Sequence, residues 1–286
     1  MQGLYLSVNL ETILVGNTKE ELSLKIVIMR LSVVMPSLLV LYYILLFIYG
    51  IVIGSFVNVL IYRLPKHEDF IKIRSHCTSC GYQLRWFDLI PIVSWVIYGG
   101  KCRNCGEKIS PQYPIIEALN GILYVLVGMV YGISIDTILL CLSSSILVAI
   151  SVIDFRTMII PPGLNYTIGI LGIIRMIIDH KHFVNYLVGF LSVSAFLMIL
   201  YVISKGRWIG GGDIKLMAAT GLLIGWKLNL LAFFLGCIYG SVIHIIRMKI
   251  SNKGHVLALG PYLAAGVMTA VLVGDKIINW YFGMVM

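Results

Sequence analysis

Eight apolar runs constrain this chain more than any other feature. They lie near residues 36–61, 113–131, 137–153, 163–178, 184–203, 214–226, 228–246 and 256–273. A helix needs about 20 mainly apolar residues to cross a bilayer, and shorter runs serve where neighbouring helices bury their ends. With 59% hydrophobic side chains, 12% charged ones and a mean hydropathy of +0.94, the chain is too apolar for a soluble globular domain. The expected fold is an all-α polytopic membrane protein of about eight transmembrane helices. The two runs flanking Trp226 also read as one long hairpin, and the last run extends into the apolar tail beyond Lys276.

The charged residues set a direction across the bilayer. Arg63, Lys66, Lys72, Arg74, Arg85, Lys101, Arg103 and Lys108 lie between the first two runs, and Arg156, Lys205, Arg207, Arg247, Lys249 and Lys253 lie in alternate later loops. The opposite loops carry little beyond Lys181 and Lys227. Because lysine and arginine collect on the cytoplasmic side, the net charge of +9 reads as an orienting signal and not as a nucleic-acid surface. Asp154, at the end of the third run, and Asp213, at the start of the sixth, then fall on one cytoplasmic face. The chain parses into an extension over 1–35, a first span over 36–62, a cytoplasmic insert over 63–112 and a membrane core over 113–286. The extension lacks the cationic start, apolar centre and small-residue cleavage site of a secretory signal, and it receives no role.

The insert carries four of the six cysteines, Cys77 and Cys80 in "CTSCG" and Cys102 and Cys105 in "CRNCG". Two residues between cysteines let both thiolates of a knuckle reach one tetrahedral ion, and the following glycine permits the tight turn beneath them. Two such knuckles complete a structural Zn2+ site with no open position for water, and four thiolates also suit iron. A pair of disulfides is the rival reading, which a reducing cytoplasm disfavours. His76, beside Cys77, is a reserve ligand. Cys141 and Cys237 lie inside apolar runs and read as packing residues.

An ionisable group in or beside a membrane span costs several kcal/mol and is a functional hypothesis by default. Asp154 in "SVIDFRTMIIPP" and Asp213 in "GGGDIKLM" are the leading pair, with Glu117 in "YPIIEALNG" third. Two close carboxylates in a low-dielectric site do not both ionise cheaply, so one keeps its proton. That division suits peptide hydrolysis: the anion draws a proton from water and the neutral acid hydrogen-bonds to the carbonyl under attack. Gly210 and Gly212, with Lys215 beyond them, form a loop where a substrate backbone can come close. The plain alternatives are a helix cap for Asp213 and an interfacial pairing of Asp154 with Arg156.

At these residues the sequence resembles the type IV prepilin peptidases, from about Tyr49 to Gly266. The motifs are "GSFVNVLIYRLP", the two cysteine knuckles, "PIVSWVIYGGKCRNC", "ISPQYPIIEALNG", "VIDFRTMIIP" and "GGGDIKLMAATGLLIGW". The resemblance implies that Asp154 and Asp213 are the catalytic aspartates. It implies cleavage of prepilin or pseudopilin leaders at the cytoplasmic face of the bacterial inner membrane, then methylation of the new amino terminus with S-adenosylmethionine. By the same likeness Asn58, Arg63 and Glu117 mark the methyl-donor region. The chain departs from the family's usual pattern at Pro162, where a polar residue is common, and at Leu259, where phenylalanine is. Competing readings are a leader peptidase without methyl transfer and a small proton-coupled transporter, the latter expected to hold its acids near the bilayer midplane. No oligomeric state follows from the sequence.

Overall fold

The computed structural model describes residues 19–69, 72, 74–250 and 257–285, with side chains from Ser37 onward apart from Ile250 and Val285. Residues 1–18 of the extension and Lys253 lie outside the described residues. The chain divides into residues 1–45 and a compact unit over 46–286, which contains every candidate site residue.

Among the described residues the α-helices, in order, are α1 (Lys19–Arg63), α2 (Val93–Ile97), α3 (Gln112–Tyr131), α4 (Ile135–Thr157), α5 (Pro162–Ile178), α6 (Phe183–Ile203), α7 (Gly211–Ile224), α8 (Trp226–Ile250) and α9 (Gly260–Val285). Among the described residues, six segments are long and apolar enough to cross a membrane: 37–66, 112–131, 135–157, 180–203, 226–249 and 260–284. The remaining two apolar runs form α5, of 17 residues, and α7, of 14. At 1.5 Å per residue α7 is about 21 Å long, short of the roughly 30 Å hydrocarbon core, so its ends must be satisfied by protein. The runs flanking Trp226 are two helices, because Gly225 turns the chain at φ +79° between α7 and α8. Helix α9 continues through Lys276 to Val285.

Local sequence sets the helix ends. The Ser134 hydroxyl accepts the Thr137 N–H at the start of α4, and Met158 ends that helix in the left-handed conformation with its N–H on the Asp154 carbonyl. Pro162 opens α5 at a first-turn position where its missing N–H costs nothing.

Helix α7 is buried on most of its circumference and packs chiefly against α5 and α6. Close approach is possible because glycines meet: a Cβ on Gly221 would stand 2.1 Å from the Gly189 carbonyl oxygen, and one on Gly172 2.8 Å from Leu222. Buried Asn229 donates to the carbonyls of Gly189 and Met217 and accepts from Thr220, tying α6, α7 and α8 together. A second polar set joins α1, α3 and α4, where Asn120 donates to the Gly50 carbonyl and accepts from Ser145. Small residues and interhelical hydrogen bonds are the expected adhesives where lipid removes the hydrophobic drive between helices. Arg175, half-hidden at the end opposite the aspartates, pairs with Asp136 at 2.9 Å and donates to the Leu223 carbonyl. Its charge is thereby neutralised and does not oppose the orientation read from the loops.

A Gly221→Leu substitution is expected to destabilise the detergent-solubilised protein by overpacking, on the order of 1–3 kcal/mol or more. Gly163→Ala, where a Cβ meets nothing within 4 Å, should leave the unfolding temperature near that of the parent. Scanning fluorimetry on both variants checks the pair.

Candidate active site and metal centre

The chain delivers Asp154 and Asp213 to the same end of the bundle from opposite directions. Asp154 is in the last turn of α4 and Asp213 in the first turn of α7, and both are buried, at 5% and 9% exposure. The α4–α5 corner brings them together. After Asp154 the chain turns at Met158, and buried Ile160 then lies against Gly212, where an added Cβ would be 3.0 Å away. From the start of α5, Asn165 donates to the Gly212 carbonyl at 3.2 Å. The two carboxylates are close enough to interact electrostatically.

Each carboxylate also meets the N-terminus of a helix. Asp154 accepts the Gly260 N–H at 2.9 Å, the first N–H of α9. Asp213 lies in the first turn of α7, and its carboxylate stands beside Gly210, the residue preceding that helix. Helix N-termini present unpaired N–H groups and a favourable dipole to negative charge. Asp213 therefore occupies the first turn of its helix, where the dipole favours an acid, while lying beside a second buried acid. Arg156 turns away from Asp154 and donates to Gln112 on α3.

Gly210 and Gly211 are exposed beside Asp213, Gly212 is half-buried within the first turn, and Lys215 is exposed one turn further on. Gly260 and Asn165 escaped the sequence reading. The Gly-Pro step at 260–261 was a helix-start signal, and Asn165 is a polar residue one turn into an apolar span. A Cβ on Gly260 would lie 2.6 Å from the Asp154 carboxylate.

The cysteine knuckles are two copies of one device. In each, the first cysteine's N–H bonds to the carbonyl five residues on, Cys77 to Tyr82 and Cys102 to Glu107. The glycine four residues on, Gly81 or Gly106, has φ near +70° and returns its N–H to that cysteine's carbonyl. All four sulfurs lie within 4.8 Å of one another. Cys77 and Cys105 are 3.8 Å apart, close to the tetrahedral edge of about 3.8 Å that metal–sulfur bonds of about 2.3 Å imply and far beyond the roughly 2 Å of a disulfide. Backbone N–H groups of Cys80 and Ser79 hold the Cys77 thiol down to about 6, which suits a ligand that binds as thiolate. Asn104 reaches Cys80 at 3.7 Å. His76 turns to the Arg74 carbonyl instead. The donor set fits a closed four-thiolate metal site, with Cys77, Cys80, Cys102 and Cys105 as its ligands.

Asn58, Arg63 and Glu117 gather where α1, α3 and the insert meet, and all three are buried. Asn58 donates to the Tyr113 carbonyl, and its own side-chain oxygen is buried without a partner. Arg63 donates to the carbonyls of Asp69 and Arg74 in the insert. Glu117 accepts the Ile92 N–H at 2.7 Å.

A family model described as the bacterial peptidase A24 N-terminal domain matches residues 48–131, and one described as the type IV leader peptidase family matches residues 141–245. A prepilin leader peptidase/N-methyltransferase of Bacillus subtilis is 34% identical over 84% of this chain and 98% of its own length. The chain belongs to the type IV leader peptidase family. Proteins of the same printed name from Pseudomonas putida and Legionella pneumophila are 29% and 28% identical, over 80% and 84% of this chain and 89% and 94% of their own. No solved structure matches. Membership in this family makes the chain a multi-pass membrane enzyme, a prepilin peptidase.

Purified full-length protein is expected to carry one metal ion per chain by elemental mass spectrometry, with zinc favoured over iron. Cys102→Ser should drop occupancy to about a tenth or less. A metal-free parent lacking reactive thiols would instead indicate the disulfide pairing.

Proposed function

We propose that this protein cleaves the leader peptide from type IV prepilins or pseudopilins by aspartic acid catalysis at the cytoplasmic face of the bacterial inner membrane. One observation carries the reading: two buried carboxylates, one holding the first N–H of α9 and the other in the first turn of α7, lie at one end of a membrane bundle beside the exposed Gly210–Gly211 backbone. A prepilin-like substrate is a short polar leader joined to an apolar helix. Such a chain reaches this place with its helix in lipid and its scissile bond at the bundle rim.

In the proposed mechanism, one carboxylate of the pair is charged and takes a proton from water as it attacks the scissile carbonyl. The other holds a proton and donates to the developing oxyanion. The pair titrates as a unit, so the roles belong to the pair and not to either residue. Asn165 and Ile160 hold the α7 turn against the α4–α5 corner, and Gly260 holds Asp154. The Gly210–Gly211 backbone lies open for substrate carbonyls and N–H groups, and Lys215 is near enough to attract the substrate's acidic groups.

Methylation of the new amino terminus is the second proposed activity, with S-adenosylmethionine supplying an electrophilic methyl group. The residues offer it one fitting group, the buried and unpartnered side-chain oxygen of Asn58. Because Arg63 and Glu117 bind insert backbone, a second reading keeps cleavage alone and makes the insert an organiser of the rim.

Incubating the solubilised protein with a prepilin and S-adenosylmethionine, followed by mass spectrometry, tests both. The parent is expected to release the leader and leave a mature chain one methyl heavier, and an unmethylated product would select cleavage alone. Asp154→Asn and Asp213→Asn are each expected to lose roughly 10²–10⁴-fold in cleavage rate. Retained cutting in both would sink the mechanism. Gly260→Ala should slow cutting at least about tenfold while keeping the metal, because its methyl group displaces the Asp154 carboxylate.

A further inference from the structure

Part of the insert is not built like a water-facing loop. Between the knuckles the chain forms a 3-10 turn over Trp86–Leu89 and the short helix α2 packed against it. Trp86, Leu89, Ile90, Val93, Val96 and Ile97 are all exposed, Trp86 at 78% and Ile97 at 70%. Val93, Val96 and Ile97 have the spacing of one helix face. The side chain between them, Trp95, turns inward instead: its indole N–H donates to the Ile109 carbonyl, and Gly100 lies against its ring. The outward apolar edge is thus held in place and is not a frayed loop. Gly99 and Gly100, at φ +57° and +68°, reverse the chain into the second knuckle.

Depth and charge name what covers this edge. Ile92, at its centre, adopts φ +61°, a costly conformation for a β-branched residue, and its N–H is held by Glu117 at 2.7 Å. Glu117 lies five residues into the membrane helix α3, which starts at Gln112, so its backbone is about 8 Å along that helix and its carboxylate holds the edge beside this first stretch of the span. Interfacial segments bury their apolar faces about 5–10 Å into the boundary between headgroups and acyl chains. Cations surround the apolar edge. Arg74 and Arg85 line one cleft with Trp86, and the Arg103 guanidinium lies 4.9 Å over the Phe87 ring. Residues 63–112 carry eight lysines and arginines against four acids.

We infer that Trp86–Ile97 is an interfacial anchor that dips into the leaflet on the aspartate side and reads its anionic phosphate headgroups through Arg74, Arg85 and Arg103. The anchor holds the metal-bound insert flat beside the bundle rim. It rests on α3 crossing the bilayer and requires neither cleavage nor methylation, so its failure leaves the proposed activity standing.

The test places the photo-reactive residue p-benzoylphenylalanine at Ile97, and separately at Lys108 in the second knuckle, in full-length protein. The chains are reconstituted in nanodiscs of phosphatidylcholine with or without phosphatidylglycerol, and retained metal verifies folding. Illumination should give lipid adducts at Ile97 and few at Lys108, at least about threefold more with phosphatidylglycerol present and unchanged by added prepilin. Adducts at Ile97 to prepilin or to a second copy of the chain would overturn the anchor, as would lipid yields equal to those at Lys108. Yields independent of phosphatidylglycerol would overturn the headgroup reading.

Discussion

The structure depends on how closely helices approach α7, the short helix that opens with Asp213. Lipid offers no drive to pack one apolar helix on another, so contact distance and interhelical hydrogen bonds decide the arrangement. Gly189 and Gly221 let α6 and α7 touch backbone to backbone, Gly172 does the same for α5, and Asn229 secures the contact with two donated bonds. A helix of 14 residues ends within the bundle, which allows its N-terminal turn to face another helix end. The acid pair follows from that geometry, since Asn165 and Ile160 of the α4–α5 corner hold Gly212, the residue before Asp213.

Burying two carboxylates requires that each have a partner. Helix N-termini supply them without adding countercharge, which keeps the pair available for proton transfer. The cysteine insert solves a different problem. Its fold is too small for a core, and four thiolates on two matched knuckles provide the stiffness that burial cannot. What lies between the knuckles is then free to present an apolar edge that would be a liability on a soluble domain.

Much of this was legible in the residues. The apolar runs mark the helices because each must satisfy its own backbone in lipid, although α1 begins earlier, at Lys19, and α9 continues to Val285; the CxxC spacing marks the candidate ligands because a tetrahedral site tolerates few alternatives. Even the short runs were readable: 163–178 and 214–226 became α5, of 17 residues, and α7, of 14. Asn165 and Gly260 carried no sequence signal tying them to the aspartates, being 48 and 47 residues from Asp213 along the chain. Glu117 was visible as an ionisable residue in the first turns of a span, and Arg63 as a loop cation that the family resemblance marks. Their binding to insert backbone depends on where a loop folds back, which periodicity does not encode.

The sequence by itself determined a helical membrane protein, two cysteine knuckles suited to one metal ion, and two acids at the ends of apolar runs, since each follows from composition or from spacing within a few residues. Only the tertiary structure decided that Asp154 receives the N–H of Gly260, that Asn165 holds the turn under Asp213, and that Glu117 holds the insert through the N–H of Ile92. Those contacts join residues 106, 47 and 25 positions apart. Separations of that length are closed by helix packing, and packing is set by the whole bundle at once.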